Sequence, residues 1–151
     1  MQKPTARQRA PRESKRRGEL VELAFLHMAT AMGLKVSKPY GDSGRYDFIV
    51  DTGRRLFKVQ VKSTSYAKSS QAYGASVGRN LHGRVVPYLR SQVDFIAIYV
   101  VPEQTWYILP MRAVVGQVTL RLPSKSNPKL GSFGKYRNAW TLLRGAQKEK
   151  E

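Results

Sequence analysis

The chain has 151 residues, which makes one domain the default and is enough for a core without disulfide or metal staples. It contains no cysteine, which excludes a disulfide framework, a thiolate metal site and a thiol nucleophile, and no apolar run reaches the roughly 18 residues of a membrane span. Its 27 Lys+Arg against 10 Asp+Glu give a formal net charge of +17, which points to a polyanionic partner; charge alone leaves DNA, RNA and an anionic membrane open.

Residues 1–17 carry seven basic side chains against one acid, with Pro4 and Pro11 and almost nothing apolar, and read as a flexible basic arm. No apolar stretch follows these charges closely enough for a secretory signal. A helix is expected from near Gly18 to Gly33. Leu20, Leu23, Ala24, His27 and Ala31 follow one helical stripe, and Val21, Phe25, Met28 and Met32 another, so the helix reads as buried on both faces. Short extended runs follow at 34–39, at 45–50 after the 41–44 turn, and at 56–63 after a turn at 51–53. Residues 67–84, rich in Ser, Gly and Ala, read as a long loop, and Pro87 suits the first turn of a short helix to Gln92. The continuous apolar run 95–101 reads as a central strand covered on both faces. A turn at 102–104 leads to a strand at 105–109, an edge strand at 114–122, and a final helix or packed segment at 136–143. The element order gives an α/β or α+β class with a mixed sheet. Residues 18–145 form the single expected domain and 146–151 a charged tail; residues 125–151 again hold seven basic side chains against two acids.

Between the basic ends stand seven acids: Glu19, Glu22, Asp42, Asp47, Asp51, Asp94 and Glu103. Asp47 lies in an apolar run between Tyr46 and Phe48, where a carboxylate is costly unless paired or bound to a metal. In the next strand, alternation puts Val59 and Val61 on one face and Lys58, Gln60 and Lys62 on the other. An antiparallel hairpin brings Asp47 opposite Gln60 and Lys62, with the helical Glu19 in reach. The Asp47 carboxylate, the Gln60 amide oxygen and a backbone carbonyl near Val61 suit a hard cation such as Mg²⁺. Such a cation activates water and neutralises charge on a phosphate, while Lys62 orients the water or stabilises the transition state. The combination is a design for cleaving phosphodiesters.

The segments Gly18-Glu19-Leu20, Tyr46-Asp47-Phe48-Ile49-Val50 and Lys58-Val59-Gln60-Val61-Lys62-Ser63 resemble the PD-(D/E)XK nuclease superfamily. More narrowly, they are similar to its bacterial group I intron homing endonucleases, in which glutamine replaces the second acid of the motif. Tyr46 stands where the superfamily has proline. The resemblance implies a restriction-endonuclease-like core: a mixed central sheet flanked by helices, in the order α-β-β-β-α-β, plus extra C-terminal strands. It implies Asp47 as metal-binding aspartate, Gln60 as second ligand, Lys62 as catalytic lysine and Glu19 as the helix glutamate completing the site, with Glu22 as alternative. It also implies Mg²⁺ or Mn²⁺ as cofactor, double-stranded DNA as partner and the bacterial cytoplasm, at the nucleoid, as compartment, with no membrane involved.

Arg45, Lys58, Ser63 and Lys68 flank the site and are candidates for holding phosphates; Arg79, Asn80, His82 and Arg84 are candidates for groove contacts, with Arg and Asn reading base edges. Cutting both strands of a duplex requires two active sites, so a homodimer or homotetramer is expected. A junction-resolving or repair nuclease on the same core, and a non-catalytic nucleic-acid-binding protein, are the competing readings.

Overall fold

The computed structural model describes residues 6–41 and 44–145, with side chains described from residue 13 onward. Helix α1 runs Ala6–Ala31, twelve residues earlier than the expected start at Gly18. Lys, Arg, Glu and Ala are good helix formers, so a charge-rich segment continues the helix outward, and residues 13–20 are exposed along it. The helix is buried along one stripe only. Val21, Phe25 and Ala29, four residues apart, are buried, whereas Leu20 and Leu23 are more than half exposed. Its end is a Schellman motif: Gly33 adopts φ +78°, the Leu34 N–H donates to the Ala29 carbonyl and the Gly33 N–H to that of Thr30.

Five strands make the main sheet: β1 (Lys35–Ser37), β2 (Phe48–Asp51), β3 (Leu56–Thr64), β8 (Phe95–Val100) and β9 (Thr105–Pro110), in the order β1-β2-β3-β8-β9. All neighbours are antiparallel except β3 and β8, so the sheet is mixed and the class is α+β. The expected hairpin of β2 and β3 is present, with Phe48 opposite Val59. As expected, β8 is covered on both sides. Phe95 and Ala97 join the core under α1, and Ile96, Ile98 and Val100 join a second core on the other face. In the first core Phe25 lies 5.3 Å from the ring of Phe48, 5.7 Å from Trp106 and 5.5 Å from Trp140.

The second face is covered by sheet, not by helices. The 67–84 segment is no loop: it forms β4 (Ala67–Ser69), β5 (Ala72–Ser76) and β6 (Gly78–Leu81), followed by β7 (Arg84–Pro87). β10 (Thr119–Pro123), β5 and β4 build a three-stranded sheet whose Ala75, Leu120 and Leu122 pack on Ile96, Ile98 and Leu109. β6 and β7 form a separate hairpin around His82 and Gly83, both at positive φ, the turn whose twist matches paired strands. Gly78 is required there, since a Cβ would lie 2.5 Å from the Val85 Cγ1. The helix expected from Pro87 is replaced by the end of β7 and a turn, because Pro87 closes the hairpin ladder opposite Gly78. The β3-to-β8 crossover is therefore made of strands, and α1 is the sole α-helix among the described residues.

The expected edge strand is shorter, β10 alone, and lies at the edge of the second sheet. Residues 134–136 and 140–144 form 3₁₀ turns that bury Tyr136, Trp140 and Leu143, the packed segment anticipated there. Asp42 and the tail at 146–151 lie outside the described residues.

Candidate active site

Asp47 stands one residue before β2, not within it, yet it extends the ladder: its N–H donates to the Val59 carbonyl at 2.9 Å. Its Oδ2 accepts the Val61 N–H at 2.7 Å, which fixes the carboxylate on β3 between Gln60 and Lys62. The pleat of β3 is as expected, with Phe57, Val59 and Val61 in the core and Lys58, Gln60 and Lys62 half-buried on the opposite face. The Gln60 Nε2 makes only a long contact, 3.4 Å, to the Val61 carbonyl.

Burial pushes the Asp47 carboxyl up from its ordinary pKa; the Val61 N–H opposes this, the Glu22 charge adds to it, and Lys62 and Lys38 oppose it. Burial pushes the Lys62 ammonium down, and Asp47 partly restores it. Glu22 is the helix carboxylate whose field reaches Asp47, and it holds Lys38 in an ion pair at 2.7 Å. Glu19 is exposed, and its charge acts on Lys38 alone among the groups whose pKa shifts. Lys38 itself is raised, chiefly by its hydrogen bond to Glu22, and sits 5.8 Å from the Phe48 ring centroid.

Tyr88 closes the site from the other side. It is buried, and the Lys62 Nζ lies 5.7 Å from its ring centroid. Burial raises its hydroxyl pKa, Asp47 raises it further, and Arg79 and Arg45 lower it. Neither Tyr88 nor Lys38 was among the residues singled out from sequence. No local pattern marks them: Tyr88 comes from beyond β7, far along the chain, and Lys38 follows the short strand β1.

The other candidates scatter. The Lys58 N–H donates to Asp94 Oδ2 at 2.8 Å and its ammonium to the Ser91 carbonyl, so it ties β3 to the turn before β8. Ser63 is half-buried near the end of β3, and Arg45 and Lys68 are exposed. The Asn80 Oδ1 accepts the Gly83 N–H at 3.0 Å and is used by the hairpin turn, while His82 and Arg84 are exposed at its tip. A cleft of about 550 Å³ opens at the other end of β3, lined by Arg54, Arg55, Arg90, Arg112 and Arg144; none of Asp47, Gln60 or Lys62 lines it.

Among the described residues no group of three or more His, Cys, Asp or Glu is placed to hold a metal. Among the described residues, Glu22 is the acid whose charge acts on Asp47. Asp47 is bonded to the Val61 N–H, and the Gln60 side chain lies by the Val61 carbonyl; these residues offer a carboxylate, an amide oxygen and a carbonyl, the oxygen donors a hard divalent cation takes. The Glu22 charge opposes ionisation of Asp47, a like-charge repulsion that a cation near both would relieve.

An aspartate at the head of one strand faces Gln-x-Lys on its antiparallel partner. The PD-(D/E)XK endonuclease family model matches residues 12–143, and the chain belongs to this family, whose members generally use divalent metal ions. The chain is also similar to a solved structure described as a bacterial homing endonuclease, I-Ssp6803I. That likeness has 29% identity and a TM-score of 0.74, and covers 90% of this chain and 98% of the other. No curated protein matches. The nuclease resemblance read from the three short segments is borne out, as is the mixed α+β core.

Proposed function

We propose that the protein is a Mg²⁺-dependent endonuclease that hydrolyses phosphodiesters of double-stranded DNA at a defined site, in the manner of a homing enzyme. The observation that carries this is the Asp47 carboxylate bonded to the Val61 N–H between Gln60 and Lys62. Asp47, the Gln60 amide oxygen and the Val61 carbonyl would hold the cation, and Glu22 rather than Glu19 would complete the set, because it is the helix acid whose charge acts on Asp47. When bound, Mg²⁺ lowers the pKa of water and offsets charge on the phosphate. Lys62, with its pKa lowered by burial, sits where it can take a proton from the attacking water. Mn²⁺ is the expected substitute.

Site specificity is proposed from the likeness to a homing endonuclease, and the +17 charge supplies attraction to the duplex backbone. Arg45, Ser63 and Lys68 serve as phosphate contacts, with Asn80, His82 and Arg84 at the hairpin tip facing a groove. Two or four copies assemble so that both strands are cut. Residues 18–145 form the catalytic domain, and residues 1–17 and 146–151 add sequence-independent phosphate contacts. The compartment is that of the substrate, the bacterial cytoplasm.

The test is cleavage of a plasmid library, linear duplexes and a four-way junction with Mg²⁺ or EDTA, beside Lys62→Ala. Discrete duplex cuts that need Mg²⁺ and vanish in the variant support the reading. Cutting confined to the junction replaces it with a junction-resolving enzyme. Salt-sensitive binding with no cutting leaves a binding protein on a nuclease scaffold.

A further inference from the structure

Resting on the nuclease reading above, we propose that Arg79 is a further catalytic residue, its half-buried guanidinium donating to the nonbridging oxygens of the scissile phosphate beside Tyr88 and Lys62. Arg79 belongs to β6, opposite Val86, in a hairpin whose spacing is set by the absence of a side chain at Gly78. Its backbone position is therefore fixed. Unlike Asn80, His82 and Arg84, it points inward: its Nε and Nη1 are buried and have no hydrogen-bond partner among the described residues.

A buried cation without a carboxylate is costly, and native proteins leave few buried donors unpaired. The two ion pairs among the described residues, Lys38 with Glu22 and Arg137 with Glu103, do not involve Arg79. Folding alone gives no reason to keep a guanidinium here, whereas an arriving anion does. The location narrows which anion. Arg79 pairs with Val86, two residues before Tyr88, and the Tyr88 ring lies under the Lys62 ammonium at 5.7 Å; the Arg79 charge also acts on the Tyr88 hydroxyl. Arg79 and the Asp47–Lys62 pair thus flank one side chain. A phosphate held at Lys62 would lie beside Tyr88, and the unpartnered Nε and Nη1 of Arg79 would reach it by a turn of the side chain past that ring.

The chemistry requires such a donor. The oxygen of water bonds to phosphorus while the bridging P–O bond breaks; one proton leaves the water, one reaches the leaving oxygen, and a phosphate monoester and an alcohol result. Negative charge concentrates on the nonbridging oxygens during that exchange, and fixed donors aimed at it lower the barrier. Gln60 adds no charge to the site where a second carboxylate would have strengthened the cation's hold, which increases the share of charge stabilisation left to the protein's own cations.

The test begins with a duplex that the wild-type protein cuts, recovered from a plasmid library with Mg²⁺. Arg79→Met is then compared in three measurements: single-turnover cleavage at saturating protein, Kd for the same duplex in Ca²⁺, and melting temperature without DNA. The expected result is a rate lower by about 100-fold or more, a typical loss for an oxyanion donor. Kd changes by less than about threefold, and the melting temperature is equal or higher because an unpaired buried charge has gone. Arg79→Ala recovers part of its rate when guanidinium is added. A saturated rate within about threefold of wild type refutes the role, as does a loss confined to Kd, which makes Arg79 a binding contact, or a fall in melting temperature that accounts for the lost activity. A wild-type protein that cuts no member of the library overturns the nuclease reading and this inference with it, an outcome distinct from an active wild type matched by Arg79→Met.

Discussion

Replacing Asp47 by Asn and by Ala separates what its charge does from what its oxygen does. Both variants remove the carboxylate and abolish cleavage. Their stabilities diverge. In Asp47→Asn the amide oxygen replaces Oδ2 as acceptor for the Val61 N–H, now held at 2.7 Å, and the buried charge is gone. In Asp47→Ala the Val61 N–H, in a residue only 7% exposed, loses its acceptor, which costs about 1–3 kcal/mol. For a domain of this size that is a fall in Tm of about 2–12 °C. Asp47→Asn equals or exceeds wild type near neutral pH, because the folded-state pKa of Asp47 is raised by burial. The sign is that of a carboxylate destabilised in the folded state. Its ionisation opposes folding above the folded pKa, and that penalty disappears as pH falls through the raised value toward the unfolded one. The stability gap between Asp47→Asn and wild type therefore narrows on acidification. Urea denaturation of the three proteins at a series of pH values, without metal, measures this. Refutation is an Asp47→Asn protein as unstable as Asp47→Ala, or a gap over wild type that widens as pH falls.

Glu22→Gln removes the carboxylate that bears on Asp47 and pairs with Lys38, so cleavage requires more Mg²⁺ and Lys38 titrates lower, whereas Glu19→Gln leaves both nearly unchanged; metal titration of cleavage rates and NMR of the lysines test this contrast. Lys62 in the metal-free protein titrates below its ordinary value and lower still in Asp47→Asn, since the Asp47 charge partly restores its pKa; side-chain nitrogen NMR reads both shifts. Phe25→Ala empties the centre of the cluster formed with Phe48, Trp106 and Trp140, at a cost of about 3–5 kcal/mol. Calorimetry then shows a Tm lower by about 6–20 °C.

The β2–β3 hairpin and the pleat that puts Gln60 and Lys62 on one face are legible because period-two alternation acts over neighbouring residues. The doubly covered β8 is legible for a related reason: six consecutive apolar residues, rich in Ile, Val and aromatics and too few for a helix, suit a strand buried on both sides. The second layer was not legible. Ala72, Gly74, Ala75, Ser76 and Gly78 are small, with Gly74 and Gly78 lying against neighbouring chain, and such residues carry the same composition as a loop. The His82-Gly83 turn was the available signal, since two residues at positive φ between short runs close a hairpin. The choice between Glu19 and Glu22 depends on helix rotation relative to the sheet. The stripe Val21, Phe25 and Ala29 sets that rotation: Glu22, next to a buried position, turns toward Asp47, while Glu19 remains in solvent.

Building the second layer from strands has a chemical consequence. A crossover helix over the β3–β8 pair would present side chains at intervals of three and four along a cylinder standing off the sheet. A hairpin instead presents alternate residues, and its turn holds them close. Arg79 and Tyr88 lie on or next to the two arms of one such hairpin; Tyr88 interacts with Asp47 and Lys62, and the Arg79 charge acts on Tyr88. The helix on the opposite side supplies the packing that keeps β2 and β3 in register, through Phe25 on Phe48. Rigidity comes from the face that carries α1 and cationic chemistry from the face that carries the hairpin, so substitutions at Phe25 and at Arg79 perturb different quantities: the first stability, the second rate.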